Sequence, residues 1–249
     1  MINLELIFTD VDDFCLKFEP QWQNHLIEIG LKQRIKPSKL TTSEVMTIVI
    51  AFHRSGFRDF KTYYINHVCQ YWRKEFPQLV SYTRMLKLLQ SVLTPLCSYM
   101  THRQAKPTGI AFVDATKIQV CHQLRIPRHK VFNGSAERGK GTMGWFYGFK
   151  LHLIINDEGG ILAVKITAGN VDDRNHIPDM VKGLWGSLYG DKGYLSKKLE
   201  AELAEKNINF VTGIRKNMKA KVMKVWDKLM LRKRFIVETV FDQLKIYLR

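Results

Sequence analysis

Most acidic residues of this 249-residue chain have a local explanation. Asp172 and Asp173 can cap a helix after Asn170, Asp157 and Glu158 fall in a turn, and Glu200, Glu202 and Glu205 lie on an exposed helical face. Three acids are left over. Asp114 closes the apolar run Ile110-Ala111-Phe112-Val113, where the chain leaves a buried strand. A carboxylate there loses hydration and needs a metal or a cation opposite it, and ligands of open α/β sheets gather at such strand ends. Asp191 repeats the situation in Leu188-Tyr189-Gly190-Asp191-Lys192-Gly193-Tyr194, flanked by glycines that let backbone approach closely. Glu238 sits in a C-terminal amphipathic segment in which Val237, Phe241, Leu244 and Leu248 form one apolar stripe. Arg234, Glu238 and Lys245 run in one line beside that stripe. Taken singly, these are two turn aspartates and a surface Arg234–Glu238 ion pair of little worth. Taken together, three hard oxygen donors on two strand ends and a helix suit Mg²⁺ or Mn²⁺. Two such ions roughly 3.5–4 Å apart promote in-line phosphoryl displacement. The expected chemistry is metal-dependent cutting or joining of nucleic acid.

The charge agrees. Lysine and arginine number 39 against 23 aspartates and glutamates, a net of +16, and the pI is near 9.7. Such an excess points to a polyanionic partner, nucleic acid before an anionic membrane. It is uneven: the first hundred residues carry a net of +3 and the remaining 149 a net of +13. Between Arg103 and Lys150 nine basic residues face only Asp114 and Glu137, and between Arg215 and Arg249 eleven face only Asp227, Glu238 and Asp242. Lys117, Lys192, Arg138 and Lys140 are candidates to hold DNA phosphates around the acids. No run approaches the roughly 18 apolar residues of a spanning helix; the best is Met46 to Phe52. The acidic start lacks the pattern of a signal peptide, so a cytoplasmic, nucleoid-associated protein without a membrane partner is expected. Cys15, Cys69, Cys97 and Cys121 form no Cys-x-x-Cys pair and read as small buried hydrophobes.

The elements that must position the acids follow from local pattern. Residues 1–104 read as three or four helices. Thr41 and Glu44 form a capping box ahead of Val45 to Phe52. Met85, Leu86, Leu88, Leu89, Val92, Leu93 and Leu96 recur at helical spacing up to about Met100. From residue 105 the pattern changes. A short strand ends on Asp114, and Phe146 to Ile155 with Ile161 to Thr167 form a hairpin around Asn156-Asp157-Glu158-Gly159-Gly160. A helix is expected over Asp172 to Leu184, a strand over Leu188 to Asp191 and a helix over Ser196 to Lys206. A strand over Ile208 to Gly213 and a last helix from Arg234 to Leu248 complete a mixed α/β domain over 105–249.

With these motifs in place, the sequence resembles bacterial insertion-sequence transposases of the DDE type, whose core is ribonuclease-H-like. The first motif is Phe112-Val113-Asp114-Ala115-Thr116-Lys117 and the second is Leu188 to Tyr194. The third, Arg234-x3-Glu238-x6-Lys245, matches three of four places in a Tyr-x2-Arg-x3-Glu-x6-Lys signature, with Leu231 at the Tyr place. Trp145-Phe146-Tyr147-Gly148-Phe149-Lys150-Leu151-His152 and Gly169-Asn170-Val171-Asp172-Asp173-Arg174 resemble the same group. The resemblance implies a mixed α/β fold with flanking helices behind a helical N-terminal DNA-binding region. It implies Asp114, Asp191 and Glu238 as catalytic metal ligands for two Mg²⁺ or Mn²⁺ ions, and Arg234 and Lys245 on DNA phosphate. Its partners would be terminal inverted repeats and target duplex DNA, held by a homodimer. Members of the group continue well past the Glu-bearing helix, whereas this chain ends eleven residues after Glu238, which reads as a C-terminal truncation.

Other patterns lead elsewhere. Gly134-Ser135-Ala136-Glu137-Arg138-Gly139-Lys140 has the spacing of a phosphate-binding loop, but Gly141 stands where Ser or Thr should follow and no helix comes next. A basic loop over DNA is the expectation there. Cys121, His122 and His129 lack a fourth ligand at zinc spacing. A nuclease on the same core, or a DNA-binding protein without catalysis, stays open beside the transposase.

Overall fold

In the computed structural model, residues 3–31, 33–34, 38–141, 144–214 and 223–247 are described, the side chains of 245–247 excepted. The chain forms two compact units, one of helices up to Arg103 that also takes in the residues from Lys245 on, and one spanning Gln104–Leu244.

The helical unit contains α1 (Leu4–Glu28), α2 (Thr42–Arg54) and α3 (Phe60–Tyr63), which runs through a π turn (Tyr64–Val68) into α4 (Cys69–Tyr71). Then come α5 (Tyr82–Ser91) and α6 (Leu93–His102). Asn3 caps α1, and the reciprocal Thr41–Glu44 box caps α2 as its sequence predicts. The apolar run from Met85 to Met100 is two helices and not one. It breaks at Val92, just ahead of Pro95, whose ring has no amide to continue the ladder. Val11, Met46, Ile48, Tyr63, Tyr64, Val68 and Met85 form its core. Both buried tyrosines satisfy their hydroxyls on backbone, Tyr64 on Val80 at 2.7 Å and Tyr63 on Ile48 at 3.3 Å.

The second unit is built on β1 (Ile110–Cys121), β2 (Glu137–Gly141), β3 (Gly144–Asn156), β4 (Ile161–Ala168), β5 (Gly186–Gly190) and β6 (Ile208–Thr212). Its helices are α7 (Ile177–Met180), α8 (Lys197–Glu205), α9 (Val225–Lys233) and α10 (Phe235–Tyr247). The strands lie in the order β2-β3-β1-β5-β6, and β4 also pairs with β3. β1, β3 and β4 are antiparallel, while β5 and β6 run parallel to β1. This is the ribonuclease-H-like arrangement, mixed α/β with helices on both faces. Alternation along the strands divides the core. Ala111, Val113, Ile154 and Leu188 pack with residues of α7 and α8, and Phe112, Leu153, Ile155 and Tyr189 pack with Met230, Val237 and Phe241 of α9 and α10. β5 enters beside β1 through Gly186, at φ +90°, where any Cβ would lie 2.2 Å from the Gly109 carbonyl oxygen.

Several expectations need correction. β1 does not stop at Asp114 but continues to Cys121, because β3 pairs with it along that whole length. Glu137–Gly141 is a strand and not a loop, laid against the start of β3. The Asp172–Leu184 segment holds only one helical turn, Ile177–Met180. Asp172 caps nothing there; it accepts from the Arg174 amide and guanidinium. Among the cysteines only Cys15 is buried, and Cys97 is exposed. No described helix is long and apolar enough to cross a membrane.

Candidate active site

β1 and β5 determine where the first two acids stand. Their last registered pair is Val113 with Gly190, so Asp114 and Asp191 are the next residues on two neighbouring parallel chains, about 5 Å apart by strand spacing. Side-chain alternation turns Asp114 to the side of Phe112, toward α9 and α10. The amide of Tyr194 donates to the Asp191 carbonyl at 2.9 Å, closing a 3₁₀ turn over Lys192–Tyr194. The Tyr194 ring is buried in the core of the other face and pegs that turn.

α10 supplies the rest. Val237 and Phe241 bury its inner stripe, as its spacing predicts, and Leu244 packs at the margin. Arg234 stands at the junction of α9 and α10, a helix the sequence pattern did not reveal. Its Nη1 donates to Asp114 Oδ2 at 2.7 Å, with side-chain exposures of 17% and 22%. Its Nη2 is 4.0 Å from Glu238 Oε1, and the Glu238 side chain is 66% exposed. The Arg234–Glu238 pair of the sequence reading therefore exists only at the limit of contact, and the guanidinium's main partner is Asp114, 120 residues away. The second Asp114 oxygen accepts from the Ala115 amide at 2.9 Å. Burial raises the Asp114 carboxyl above its usual range; Arg234 and the Ala115 amide pull it back, and the Asp191 charge adds to the rise. A second tie, from the Tyr189 hydroxyl to Asp227 Oδ1 at 3.0 Å, fastens α9 to β5 beside the site.

The basic candidates separate. Lys192 is exposed on the turn that follows Asp191. Lys117 is exposed on β1 opposite Lys150, and alternation places it on the other face from Asp114. Arg138 and Lys140 pair with Tyr147 and Trp145, six and eight residues along β3 from Leu153, the partner of Asp114. That is roughly 20 Å or more from the acids. Lys245 lies on α10, and its side chain is outside the described residues.

Three carboxylates beside a cationic arginine have the donor chemistry for a hard divalent ion. Asp114 and Asp191 fit it directly, as adjacent oxygen donors whose mutual repulsion a cation would relieve. Among the described residues no three of His, Cys, Asp and Glu converge on one point. Arg234 stands between Asp114 and Glu238, bonded to the first and at the limit of contact with the second.

A family model described as a transposase DDE domain matches residues 104–249. The chain belongs to the DDE transposase family. The solved structures similar to this chain include the piggyBac transposase synaptic complex with hairpin DNA, at 11% identity and a TM-score of 0.46 over 88% of this chain and 52% of that one. Another is the intasome of simian T-cell lymphotropic virus in complex with a PP2A regulatory subunit, at 14% identity and a TM-score of 0.27 over 68% and 57%. The chain thus spans little more than half the length of either. No curated protein matches it.

Within the DDE domain, sequence reasoning missed the partner of Arg234 and the Tyr189–Asp227 tie, because both join residues far apart in the chain. A signal for Arg234 was available: a cation in helical line with Glu238, ahead of a buried stripe, is placed to face the sheet.

Proposed function

We propose that this protein is an insertion-sequence DNA transposase that cleaves the 3′ ends of its element and transfers them to target DNA. The observation that carries this reading is the placement of Asp114, within β1 just past its last pairing with β5, next to Asp191 at the end of β5, with Arg234 bonded to Asp114 and Glu238 following on α10. Asp114, Asp191 and Glu238 are the residues to hold Mg²⁺ or Mn²⁺, two ions in all. When bound, the ions supply Lewis-acid activation of the attacking hydroxyl and neutralise charge on the leaving oxygen.

The chain's own residues do the rest. Asp114 and Asp191, fixed by β1 and β5, set the position at which the scissile phosphate is presented. Arg234 keeps the buried Asp114 charge compensated while the site is open, and turns to DNA phosphate as Glu238 swings in from solvent. Lys192, beside Asp191, and Lys245, on the same helix as Glu238, hold flanking phosphates without reading sequence. Lys117 extends that grip along β1, and Arg138 and Lys140 extend it along β2. Residues 1–104 bind the terminal inverted repeats, and residues 105–249 carry out the chemistry in a homodimer that holds two ends.

The test is nicking of a labelled duplex bearing the element's inverted repeat, with Mg²⁺ or Mn²⁺, by this protein and by Asp191→Asn. Metal-dependent nicking lost in the variant supports the reading, and joining of the freed end to a second duplex separates a transposase from a nuclease. Equal cleavage by both proteins would remove Asp191 from the site.

A further inference from the structure

Beyond the phosphate contacts proposed for Arg138 and Lys140, the β2–β3 ribbon presents an aromatic surface that this DNA reading leaves unexplained. Directly opposite residues of antiparallel strands share a face, and the register sets Arg138 against Tyr147 and Lys140 against Trp145. One face of the ribbon is fastened down. Phe146 is 1% exposed, and a Cβ at Gly139 would lie 2.1 Å from the Gly169 carbonyl oxygen. The other face carries Arg138, Lys140 and Trp145, and Trp145 is 59% exposed. Tyr147, beneath them, is buried and meets His129 edge-on, and His129 stacks on Phe132. The Gln123 amide donates to the Trp145 carbonyl at 2.8 Å, so the indole's backbone is held. Neither Arg138 nor Lys140 has an ion-pair partner among the described residues. Arg125, Arg128 and Lys130 are exposed on the preceding segment, with Glu137 the only acid there.

We propose that this ribbon binds an unpaired DNA base, with the Trp145 indole stacked on the base and Arg138 and Lys140 on the neighbouring phosphates. The charge selects a polyanion. The indole selects within that class, because a duplex hides its base faces in the stack and an unpaired base offers one. A cleaved element end is such a place, so the inference deepens the transposase reading and rests on it.

The test uses the whole chain with EDTA present, so that no cleavage intervenes, and reads fluorescence anisotropy of labelled oligothymidylate and of a labelled blunt duplex. Trp145→Ala weakens oligothymidylate binding by about tenfold, the order that one base–aromatic stack contributes, and leaves duplex binding within about twofold. Trp145→Phe recovers most of the loss, which excludes a folding defect. Arg138→Ala and Lys140→Ala weaken both probes, as phosphate contacts do. Equal loss on both probes, or no loss on oligothymidylate, overturns the stacking site while leaving the transposase reading intact. A wild-type chain that binds neither probe overturns both.

Discussion

Asp114 has its carboxyl lifted by burial and held back by Arg234, and the two side chains together are more than three-quarters buried. Arg234→Ala leaves that carboxyl desolvated without its cation. It should cost about 1–3 kcal/mol in urea denaturation, and the double variant with Asp114→Asn should recover part of the loss because no buried charge remains. A second residue gives a pH dependence. His152 is 1% exposed, bonds Thr167 at 2.9 Å and has its pKa pushed down to about 4. Burial is the main cause; His176, Lys150 and Lys165 act in the same direction and Asp173 opposes them. The folded state keeps His152 neutral while the unfolded chain protonates it near its ordinary 6.5. Its stabilisation is therefore complete above about pH 6.5 and is lost as the pH falls toward about 4. Thermal melts across that window should drop more steeply for wild type than for His152→Gln. At this scale the sequence showed which acids were costly, since an aspartate after an apolar run needs a partner. It could not show which partner, because Arg234 reaches Asp114 only through the packing of α10.

Elements decide whether the acids stay aligned. α10 is seated by Val237 and Phe241, both almost fully buried. Phe241→Ala should destabilise the domain by about 3–5 kcal/mol in denaturant, and should reduce nicking more than its loss of folded protein explains, since Glu238 rides on the same helix. In the helical unit, Thr41→Ala removes one half of the α2 capping box and should cost about 1 kcal/mol. Elements whose signals are local were legible: the α2 cap, the hairpin around Asn156, and the helix that follows Ser196. Elements that depend on a distant partner were not. β2 reads as a Gly-rich basic loop until β3 lies beside it, and β1 reads as four residues because its polar continuation from Asp114 gains order only from β3. The Asp172–Leu184 segment failed differently. Pro178 and Gly183 limit it to a single turn, despite an apolar content that suits a helix.

The whole molecule adds its charge. With a net of +16, duplex affinity should fall steeply with salt, log K against log salt sloping at about −0.9 for each phosphate neutralised. Anisotropy titrations at several salt concentrations check this, and a slope near zero would mean that the charge faces no DNA. The change of pattern near residue 105 was plain in the sequence, from helical periodicity to short strands. The central sheet was less so, because only the parallel pairing of β1 with β5 brings together two acids 77 positions apart.

One strand of this fold links two of its parts. β1 gives Asp114 to the acids and then leaves β5 behind, running on beside β3 toward the segment that carries Trp145. If both proposals hold, grip and chemistry share one continuous piece of backbone, and its length behaves as a quantised variable. Removing two residues from each strand of the ribbon shortens its reach while every side chain keeps its face. Removing one from β1 alone inverts the distal half relative to Asp114. Relatives that engage DNA at a different distance from the acids should accordingly differ in this arm by even numbers of residues per strand, or by a compensating bulge such as the one between Gln119 and Cys121.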